Sequence, residues 1–284
     1  MRVWSRTYPV RLPPDTPLKR GTRKFPLGRA CLELVERGLR GGLFSFQCSA
    51  LERLFICFVI ACTFMPASAQ LPTGEDFTFV RIRWTDNNIR YGYAFSTNAP
   101  PWAHDFPQAE KNLNLTIQAL TNIKVSEDNK VLTFGDDEIY RYPFIYACEI
   151  GYLTLSEKEV KNLREYLLRG GFLMVDDFRW RHEWNNWMRE IRKVLPDQEL
   201  RRLDVSHPIF HCFFDINDIH KDTPFNLGVP PEYWGIFDDN GRMMVLINFN
   251  NDVGDGWELP KKTPKFSTRS YKLGINYLIY ALTH

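Results

Sequence analysis

Hydrophobic and polar residues alternate over residues 77–84 (FTFVRIRW), the period-two pattern of a strand with one solvated face. Over residues 106–123 the apolar positions recur three or four residues apart, as on one face of a helix, and Asp105 precedes its start. Residues 142–148 (YPFIYAC) are mostly apolar, which is typical of a buried strand. This part of the chain therefore predicts a strand, a helix and a second strand.

A second helix is predicted to begin after Ser156, with Glu159 completing a capping box three positions later. It ends at Gly170, and residues 172–175 (FLMV) form the next apolar strand, which leads into two aspartates. The pattern then repeats less regularly. Further elements are predicted in this order: a helix over residues 183–194, strands over 209–214 and 242–249, and a closing helix over 267–282.

Strands that alternate with helices predict an α/β domain, with a mostly parallel sheet covered by helices on both sides. No repeat or linker interrupts residues 70–284, so we expect one domain. In open sheets of this class, ligands bind beyond the carboxyl ends of the strands. Functional residues are therefore expected in the loops after residues 148, 175 and 249, and in the loop that holds His207.

An uncharged apolar segment, residues 54–65 (LFICFVIACTFM), lies between Arg53 and an Ala-x-Ala site. A permanent transmembrane helix needs about 20 apolar residues, so this segment is too short to be one. Residues 51–69 are predicted to be a signal peptide cleaved near Ala69, which would export the mature chain to the periplasm or the cell surface. Two alternatives stay open: lipidation at Cys62, and a buried or retained segment.

Residues 1–50 form a basic extension, whereas the predicted domain is net acidic. Residues 1–69 carry 11 Lys and Arg against 4 Asp and Glu, and the rest of the chain carries 25 against 30. The acidic balance of the domain disfavours nucleic acid and anionic lipid as partners. A basic extension is unusual before a signal peptide, which suggests that translation starts near Leu51; a mitochondrial transit peptide is the alternative.

Two of the six cysteines, Cys148 and Cys212, fall in the predicted domain. Both lie in apolar runs, where a free cysteine behaves as a small buried hydrophobe, so we expect them to be buried and unpaired. A disulfide between them is the alternative in an oxidising compartment. Cys148 ends a strand, as the nucleophile of a glutamine amidotransferase would, but the glycine two residues earlier is missing. The chain also lacks the serine-nucleophile, phosphate-loop and dinucleotide motifs.

Carboxylates at strand ends are the first candidates for chemistry. Asp176 and Asp177 follow an apolar strand directly, and either can ligate a metal or act as a general acid or base. Adjacent residues of an extended chain point to opposite sides, so only one is expected to face a given pocket. The competing interpretation is that they cap a helix or pair with Arg179. Glu149, which follows an apolar strand in the same way, is a candidate binding residue.

Two histidines, His207 and His211, lie four residues apart, as metal ligands on one helix face would. Pro208 argues against a helix here, so the helical zinc motif is absent. His207 at the edge of a loop is a candidate ligand or general base, or else a structural histidine. His211 is expected in the core.

Residues 248–258 (NFNNDVGDGWE) concentrate oxygen-bearing side chains around two glycines. Asp252, Asp255 and Glu258 are candidate binding residues, and calcium is one possible ligand. The spacing does not match an EF-hand, and the same residue types are common in turns, so no metal site is assigned. Trp257 is a candidate platform for a sugar ring, although tryptophan also commonly fills a core.

Six ordered blocks carry a family resemblance: residues 79–81 (FVR), 142–146 (YPFIY), 169–178 (RGGFLMVDDF), 207–210 (HPIF), 252–258 (DVGDGWE) and 273–277 (LGINY). Together they resemble the bacterial family known as domain of unknown function 4159, over residues 77–284. The resemblance implies a flavodoxin-like three-layer sandwich, similar to class I glutamine amidotransferases, in exported or membrane-associated proteins. It implies no established activity, cofactor or catalytic residue.

Two functions are therefore open. In the first, the exported domain is a non-catalytic binding module of the cell envelope, for a carbohydrate or a protein partner, with no stable transmembrane helix in the mature chain. In the second, it is a metal-assisted hydrolase that uses one of the adjacent aspartates, His207, and Asp252 or Glu258. The hydrolase requires these side chains to converge on one pocket, whereas a binding module does not.

Overall fold

The computed structural model describes residues 76–86, 100–221, 229–261 and 264–284, all within one unit, Pro66–His284. The basic extension, the predicted signal peptide with its cleavage near Ala69, and the alternative lipidation at Cys62 lie outside the described residues. Within the described part of the chain, no helix combines the length and the hydrophobicity needed to cross a membrane.

A seven-stranded sheet organises the described residues. The strands β1 to β9 are Val80–Ile82, Thr85–Asp86, Lys130–Leu132, Phe144–Cys148, Leu153–Thr154, Phe172–Phe178, Glu199–Arg202, Glu232–Phe237 and Met243–Phe249. The sheet has the order β3-β1-β4-β6-β9-β8-β7, and β2 pairs separately with β5. The neighbouring strands β3, β1, β4, β6 and β9 are parallel to one another, whereas β8 is antiparallel to both of its neighbours, β9 and β7. The prediction of a mostly parallel sheet is confirmed.

The helices α1 to α5 are Gln108–Leu120, Glu157–Leu168, Trp180–Val194, Val253–Glu258 and Pro264–Thr283. The start of α2 shows how local sequence sets these bounds. The hydroxyl of Ser156 accepts a hydrogen bond from the N–H of Glu159 (3.3 Å), whose carboxylate accepts one from the N–H of Ser156 (2.9 Å). The helix ends just before Gly170, which has a φ of 108° that glycine adopts without steric cost. The predicted capping box and helix end are both confirmed.

Alternate residues of β4 face opposite sides of the sheet. Ile145 and Ala147 face a core that includes Trp187 of α3 and residues of α2. Tyr146 faces the other side, where its ring centre lies 5.6 Å from that of Trp257 in α4. Helices α1, α4 and α5 pack together. Helices therefore cover both faces of the sheet, and the fold has three layers.

Most predicted helices and strands are present, with ends displaced by a few residues, but the strand predicted over residues 209–214 is wrong. The chain there forms a 3₁₀ helix, Pro208–Phe210, followed by turns. The proline favours the first position of a helix, and Nδ1 of His207 accepts a hydrogen bond from the N–H of Ile209 (3.2 Å). Strands β3, β7 and β8 were not predicted, and α4 lies where the sequence predicts a loop.

Cys148 and Cys212 both carry free thiols. Cys148 is buried at the end of β4, as expected. Cys212 is only half-buried, because it lies in the turns after the 3₁₀ helix instead of in a strand, and its thiol donates to the carbonyl oxygen of Asn276 (3.0 Å). The predicted absence of a disulfide between these two residues is confirmed.

Left-handed backbone conformations gather at the carboxyl edge of the parallel strands. The non-glycine residues with positive φ among the described ones are Asp105, Glu149, Asp177, Trp180 and Asn250. Three of these positions lie at or just after the ends of β4, β6 and β9. Such conformations cost about 1–3 kcal/mol each and cluster at functional sites. The strand order also reverses between β1 and β4, which is where open sheets of this class bind ligands.

Candidate functional site

Three neighbouring strands bring carboxyl groups to the edge of the sheet where the parallel strands have their carboxyl ends. Glu149 follows β4, Asp176 and Asp177 lie near the end of β6, and Asp252 lies three residues after β9. The registers of β4 with β6 and of β6 with β9 place these strand ends side by side. Asp252 also caps α4, because its Oδ1 accepts a hydrogen bond from the N–H of Asp255 (2.9 Å). The acidic residues of three separate segments therefore meet in space.

A histidine and a further aspartate reach the same edge from the segment before α1. Arg81 of β1 holds this segment by donating to the carbonyl oxygens of Trp102 (3.1 Å) and His104 (2.8 Å). Arg81 is buried and paired with Glu110 of α1. Because a buried charge is stable only when paired and hydrogen-bonded, this arrangement fixes the position of His104 and of Asp105 after it.

Four ionisable side chains, His104, Asp177, Arg179 and Asp252, form a continuous series of contacts. Nδ1 of His104 lies 3.0 Å from Oδ2 of Asp177, and Arg179 donates to Asp177 (2.5 Å) and to Asp252 (3.0 Å). Burial favours a higher pKa for Asp177, but the hydrogen bond from His104 and the charge of Arg179 outweigh it, and the pKa is lowered. The hydrogen bond with Asp177 also raises the pKa of His104 to about 9, against the effect of burial. Asp177 is therefore ionised at neutral pH.

The carboxylate of Asp105 is buried without a hydrogen-bond donor on either oxygen. Its Oδ1 lies 3.3 Å from Nδ1 of His104, and burial raises its pKa well above the usual range. A Cβ atom at Gly254 would lie 2.5 Å from Oδ2 of Asp105, so glycine is required for this close approach. A buried carboxylate in this state is one of the few polar groups that proteins leave unsatisfied, which suggests a missing ligand.

The two adjacent aspartates have different surroundings. Asp176 accepts hydrogen bonds from the N–H of Gly254 (3.0 Å) and from the hydroxyl of Tyr146 (3.2 Å), so it anchors the start of α4 to the sheet. Burial and the neighbouring charge of Asp177 raise its pKa to about 7. Asp177, and not Asp176, contacts His104.

Glu149 and Asp252 both favour the protonated form. Burial, followed by the negative charge of Asp177, raises the pKa of Glu149 to about 11. Glu149 shares a side-chain hydrogen bond with Asp177, in which the protonated Glu149 is the donor. Burial and the surrounding aspartates also raise the pKa of Asp252 well above its usual range. The site therefore holds more carboxyl groups than its own cations can keep ionised.

Two overlapping sets of side chains have the spacing of metal ligands. One is His104, Asp177 and Asp252, and the other is His104, Asp105 and Asp255; within each set each residue offers one ligand atom, and these three atoms lie within 4.8 Å of one another. Imidazole and carboxylate ligands suit zinc and several other divalent ions. Asp255, a candidate from the sequence, thus joins the cluster as a half-buried residue.

His207 lies away from this cluster and belongs to neither set of potential metal ligands. Its ring packs against Phe237 and Tyr280. Phe237 pairs with Met243, the first residue of β9, whereas the cluster lies beyond the last residue of that strand. His207 is thus a structural histidine at the opposite edge of the sheet. His211, expected in the core, is half-buried and contacts Asp215.

Trp257 and Glu258 do not form the predicted contact surface for a sugar. The indole of Trp257 is fully buried, and its N–H donates to the carbonyl oxygen of Ser270 (2.8 Å), so no face is available for stacking. The cause is α4, which turns this part of residues 248–258 toward α5. Glu258 is half-buried at the end of the helix and belongs to neither set of potential metal ligands.

The sequence analysis missed His104, and it used Asp105 only to mark the start of a helix. Neither residue belongs to a recognisable motif, and both lie 70 or more positions before Asp177 in the chain. One feature of the sequence could have indicated them: His104 and Asp105 are adjacent polar residues in the loop between the first strand of the sheet and the helix that follows it. That loop lies at the reversal of strand order.

The comparison with known proteins identifies a family. No curated protein matches the chain. A family model described as "Domain of unknown function (DUF4159)" matches residues 88–282, which is more than half of the chain and includes the whole cluster described above. The match begins after the first of the six blocks, residues 79–81. The predicted family is confirmed, and the chain belongs to the DUF4159 family.

Proposed function

We propose that this chain is a hydrolase that depends on a divalent metal ion at the carboxyl edge of the sheet. The observation that carries the proposal is the convergence of His104, Asp177 and Asp252, each of which offers one ligand atom within 4.8 Å of the other two. One imidazole and two carboxylates are a ligand set that hydrolytic metalloenzymes use. The sequence suggested this function as the alternative to a binding module.

The charge distribution supports a bound cation. The buried carboxyl groups at this edge are Asp105, Glu149, Asp176, Asp177 and Asp252. Arg179 pairs with two of them, but neither oxygen of Asp105 accepts a hydrogen bond. Burial keeps most of these carboxyl groups in the protonated form, and a divalent ion would supply the counter-charge that their ionised form needs.

The side chains around such an ion have distinct chemical capacities. A bound divalent ion acts as a Lewis acid and lowers the pKa of a coordinated water molecule. Hydrolysis adds water across the bond that breaks, so the electrophilic atom of the substrate gains the oxygen and the leaving group needs a proton. Glu149 lies beside Asp177 and its raised pKa favours the protonated form, so it is the candidate for supplying that proton.

A non-catalytic binding module is the second candidate, and one observation favours it. Arg179 forms ion pairs with both Asp177 and Asp252, which neutralises two of the potential ligands without any metal. If these pairs persist in solution, the cluster serves to hold the strand ends together. The metal-binding experiment below separates the two candidates.

The proposal includes a flavodoxin-like fold similar to class I glutamine amidotransferases, in an exported protein. The parallel strands, numbered along the chain, lie in the order 2-1-3-4-5, which is the flavodoxin-like order. Amidotransferase chemistry is not part of the proposal, since burial raises the pKa of the Cys148 thiol well above its usual range. N-terminal sequencing of the secreted protein tests export, and a mature N-terminus far from Gln70 would contradict it.

The direct test is metal binding by the full chain after chelation. Isothermal titration with Zn²⁺, Mn²⁺, Mg²⁺ and Ca²⁺ should detect one ion per chain for at least one metal. Asp252→Asn should weaken that binding at least tenfold, because it removes one of the ligands of the set. Asp239→Asn, which changes an exposed acid outside the cluster, is the matched control and should bind as the wild type does.

The metal-loaded chain should then be assayed with chromogenic esters, phosphodiesters and glycosides. Metal binding together with a turnover that Asp252→Asn abolishes would support the hydrolase. Absence of binding for all four metals would contradict the proposal and leave the binding module.

A further inference from the structure

An aromatic groove of about 480 Å³ opens beside the candidate metal site. It is lined by Trp180 and Trp184 of α3, Trp234 near the start of β8, and Phe249 at the end of β9. Ligand pockets in proteins typically have volumes of about 300–1,000 Å³, with a mainly apolar lining and a few polar groups. We call the space bounded by these four rings the aromatic groove.

The aromatic groove is lined by residues that are next in sequence to those holding the metal site. Trp180 in its wall directly follows Arg179, whose guanidinium bonds two aspartates of the metal-binding cluster. At the other side, the N–H of Asn250 donates to the carbonyl oxygen of Phe178 (3.1 Å), which joins the end of β9 to that of β6. A ligand in the groove therefore lies next to the residues that hold the cluster.

Two tryptophans of the groove, Trp184 and Trp180, differ in how they are held. Trp184 is fixed by ring contacts with Trp234 (5.4 Å between centres) and Phe249 (4.8 Å). Trp180, in contrast, is 50% exposed and has a φ of 66°, a strained conformation for a bulky residue. Burial of a half-exposed indole offsets little of the free energy that the strained backbone costs. A ligand that stacks on the indole would bury the rest of it and offset more of that free energy.

The polar groups of the groove have no net charge. Arg181 and Glu232 contribute one positive and one negative side chain, and Asn250 contributes an amide. The indole N–H of Trp234 already donates to Glu232 (3.0 Å). The surfaces that face a ligand are therefore flat aromatic faces with a balanced set of hydrogen-bonding groups. Charge complementarity favours a neutral ligand that has both apolar faces and hydroxyl groups.

We propose that the aromatic groove binds a neutral oligosaccharide, with a pyranose ring stacked on Trp180 and hydroxyl groups bonded to Glu232 and Asn250. The C–H face of a pyranose is apolar and matches an indole, while its hydroxyls match the amide and the carboxylate. The sugar-stacking role predicted for Trp257 thus falls to a different tryptophan. The inference rests on the proposed hydrolase in one respect: a chain of sugars that extends past Arg179 would bring its next glycosidic bond to the metal site.

Isothermal titration of the full chain against cellohexaose, chitohexaose and maltohexaose tests the groove. At least one of these neutral saccharides should bind, and Trp180→Ala should weaken that binding at least tenfold. The side chain of Trp180 is half exposed, so its removal should leave the fold intact, which circular dichroism checks. Tyr140→Ala removes an exposed aromatic ring outside the groove and is the matched control, with unchanged affinity expected.

A second variant separates this inference from the hydrolase. Asp252→Asn should lose metal binding yet keep saccharide affinity within twofold, because Asp252 does not line the groove. Saccharide binding that is equal in the wild type and in Trp180→Ala would overturn the inference, as would the failure of all three saccharides to bind at millimolar concentration. Binding of a proline-rich peptide in their place, dependent on Trp180, would also overturn it and identify a protein partner.

Discussion

The imidazole of His104 and the carboxylate of Asp177 lie 3.0 Å apart across 73 positions of sequence. This contact joins the first loop of the sheet to the end of its central strand β6. It also brings together the two residues with opposite pKa shifts at the site, a raised one for His104 and a lowered one for Asp177. The candidate site is therefore assembled by tertiary structure and not by any local motif.

Replacing this histidine should weaken metal binding. His104→Gln removes a potential ligand common to both sets of side chains, so we expect at least a tenfold loss of affinity in isothermal titration. His207→Asn, at the opposite edge of the sheet, is the matched control. Equal losses in the two variants would show that the cluster does not bind the ion.

Adding a methyl group at Gly254 should disturb Asp105. The new Cβ would lie 2.5 Å from the carboxylate of Asp105 and 2.8 Å from the hydroxyl of Tyr146, both in buried surroundings. Gly254→Ala should cost about 1–3 kcal/mol of unfolding free energy, measured by urea denaturation. Gly135→Ala, where the nearest atom is a flexible side chain at 3.4 Å, is the control. A change within about 0.5 kcal/mol for both variants would show that Asp105 is free to move.

Titration of His207 should lower the stability of the folded chain as the pH drops from 6.5 to 4. Burial and the nearby charge of Arg201 lower the pKa of His207 from the usual 6.5 to about 4. In this window the unfolded chain takes up a proton that the folded chain does not, so unfolding is favoured as the pH falls. His207→Asn keeps an acceptor for the helix cap but cannot titrate, so its Tm relative to that of the wild type should rise as the pH is lowered from 6.5 to 4. An identical slope for the wild type and the variant between pH 4 and 6.5 would rule out this contribution.

The buried ion pair of Arg81 and Glu110 should be important for both stability and the site. Glu110→Gln leaves the guanidinium buried without its counter-charge, which should cost about 3–5 kcal/mol. The exposed pair of Glu165 and Arg169 offers a control, since Glu165→Gln should cost less than about 1 kcal/mol. Chemical denaturation of the two variants compares them. Similar small losses would indicate that Arg81 finds other partners.

The thiol of Cys148 should be unreactive in the native protein. It is buried, it accepts a hydrogen bond from Arg81 (2.9 Å), and burial raises its pKa well above its usual range. Iodoacetamide labelling followed by peptide mass spectrometry should modify Cys148 only after denaturation. Rapid labelling of the native protein would reopen a catalytic role for this residue.

The sequence predicted the layers of the fold and the strand-end acids, because both depend on local periodicity. Apolar runs marked β4, β6 and β9, and the residues just after them are the ones that meet in the site. His104 escaped prediction because its role depends on the loop that Arg81 holds in place. Strands β7 and β8 escaped because they form the antiparallel edge of the sheet, with charged residues such as Arg201 and Arg202 facing solvent.

Trp257 shows the opposite error, in which a local pattern is overridden by packing. The Asn, Asp and Gly residues around it favour a loop, yet six residues from Val253 to Glu258 form a helix that buries the indole. Gly256 and Gly274 permit this, since a Cβ at either position would collide with Ser270 or Trp257. Long-range contacts of this kind carry no signal in a short window of sequence.

The left-handed backbone conformations at the carboxyl edge favour glycine on grounds of stability, whereas the proposed metal site requires the residues that are present. Asp105, Glu149 and Asp177 each occupy a backbone conformation that glycine would accept without strain. A library of variants sorted only for resistance to heat should therefore become enriched in glycine at position 105, where neither carboxyl oxygen has a hydrogen-bond donor. Such proteins would fold more stably, yet they would lack the carboxyl group of Asp105, a potential ligand in one of the two sets. Enrichment of glycine there would show that the present residue lowers the stability of the folded chain.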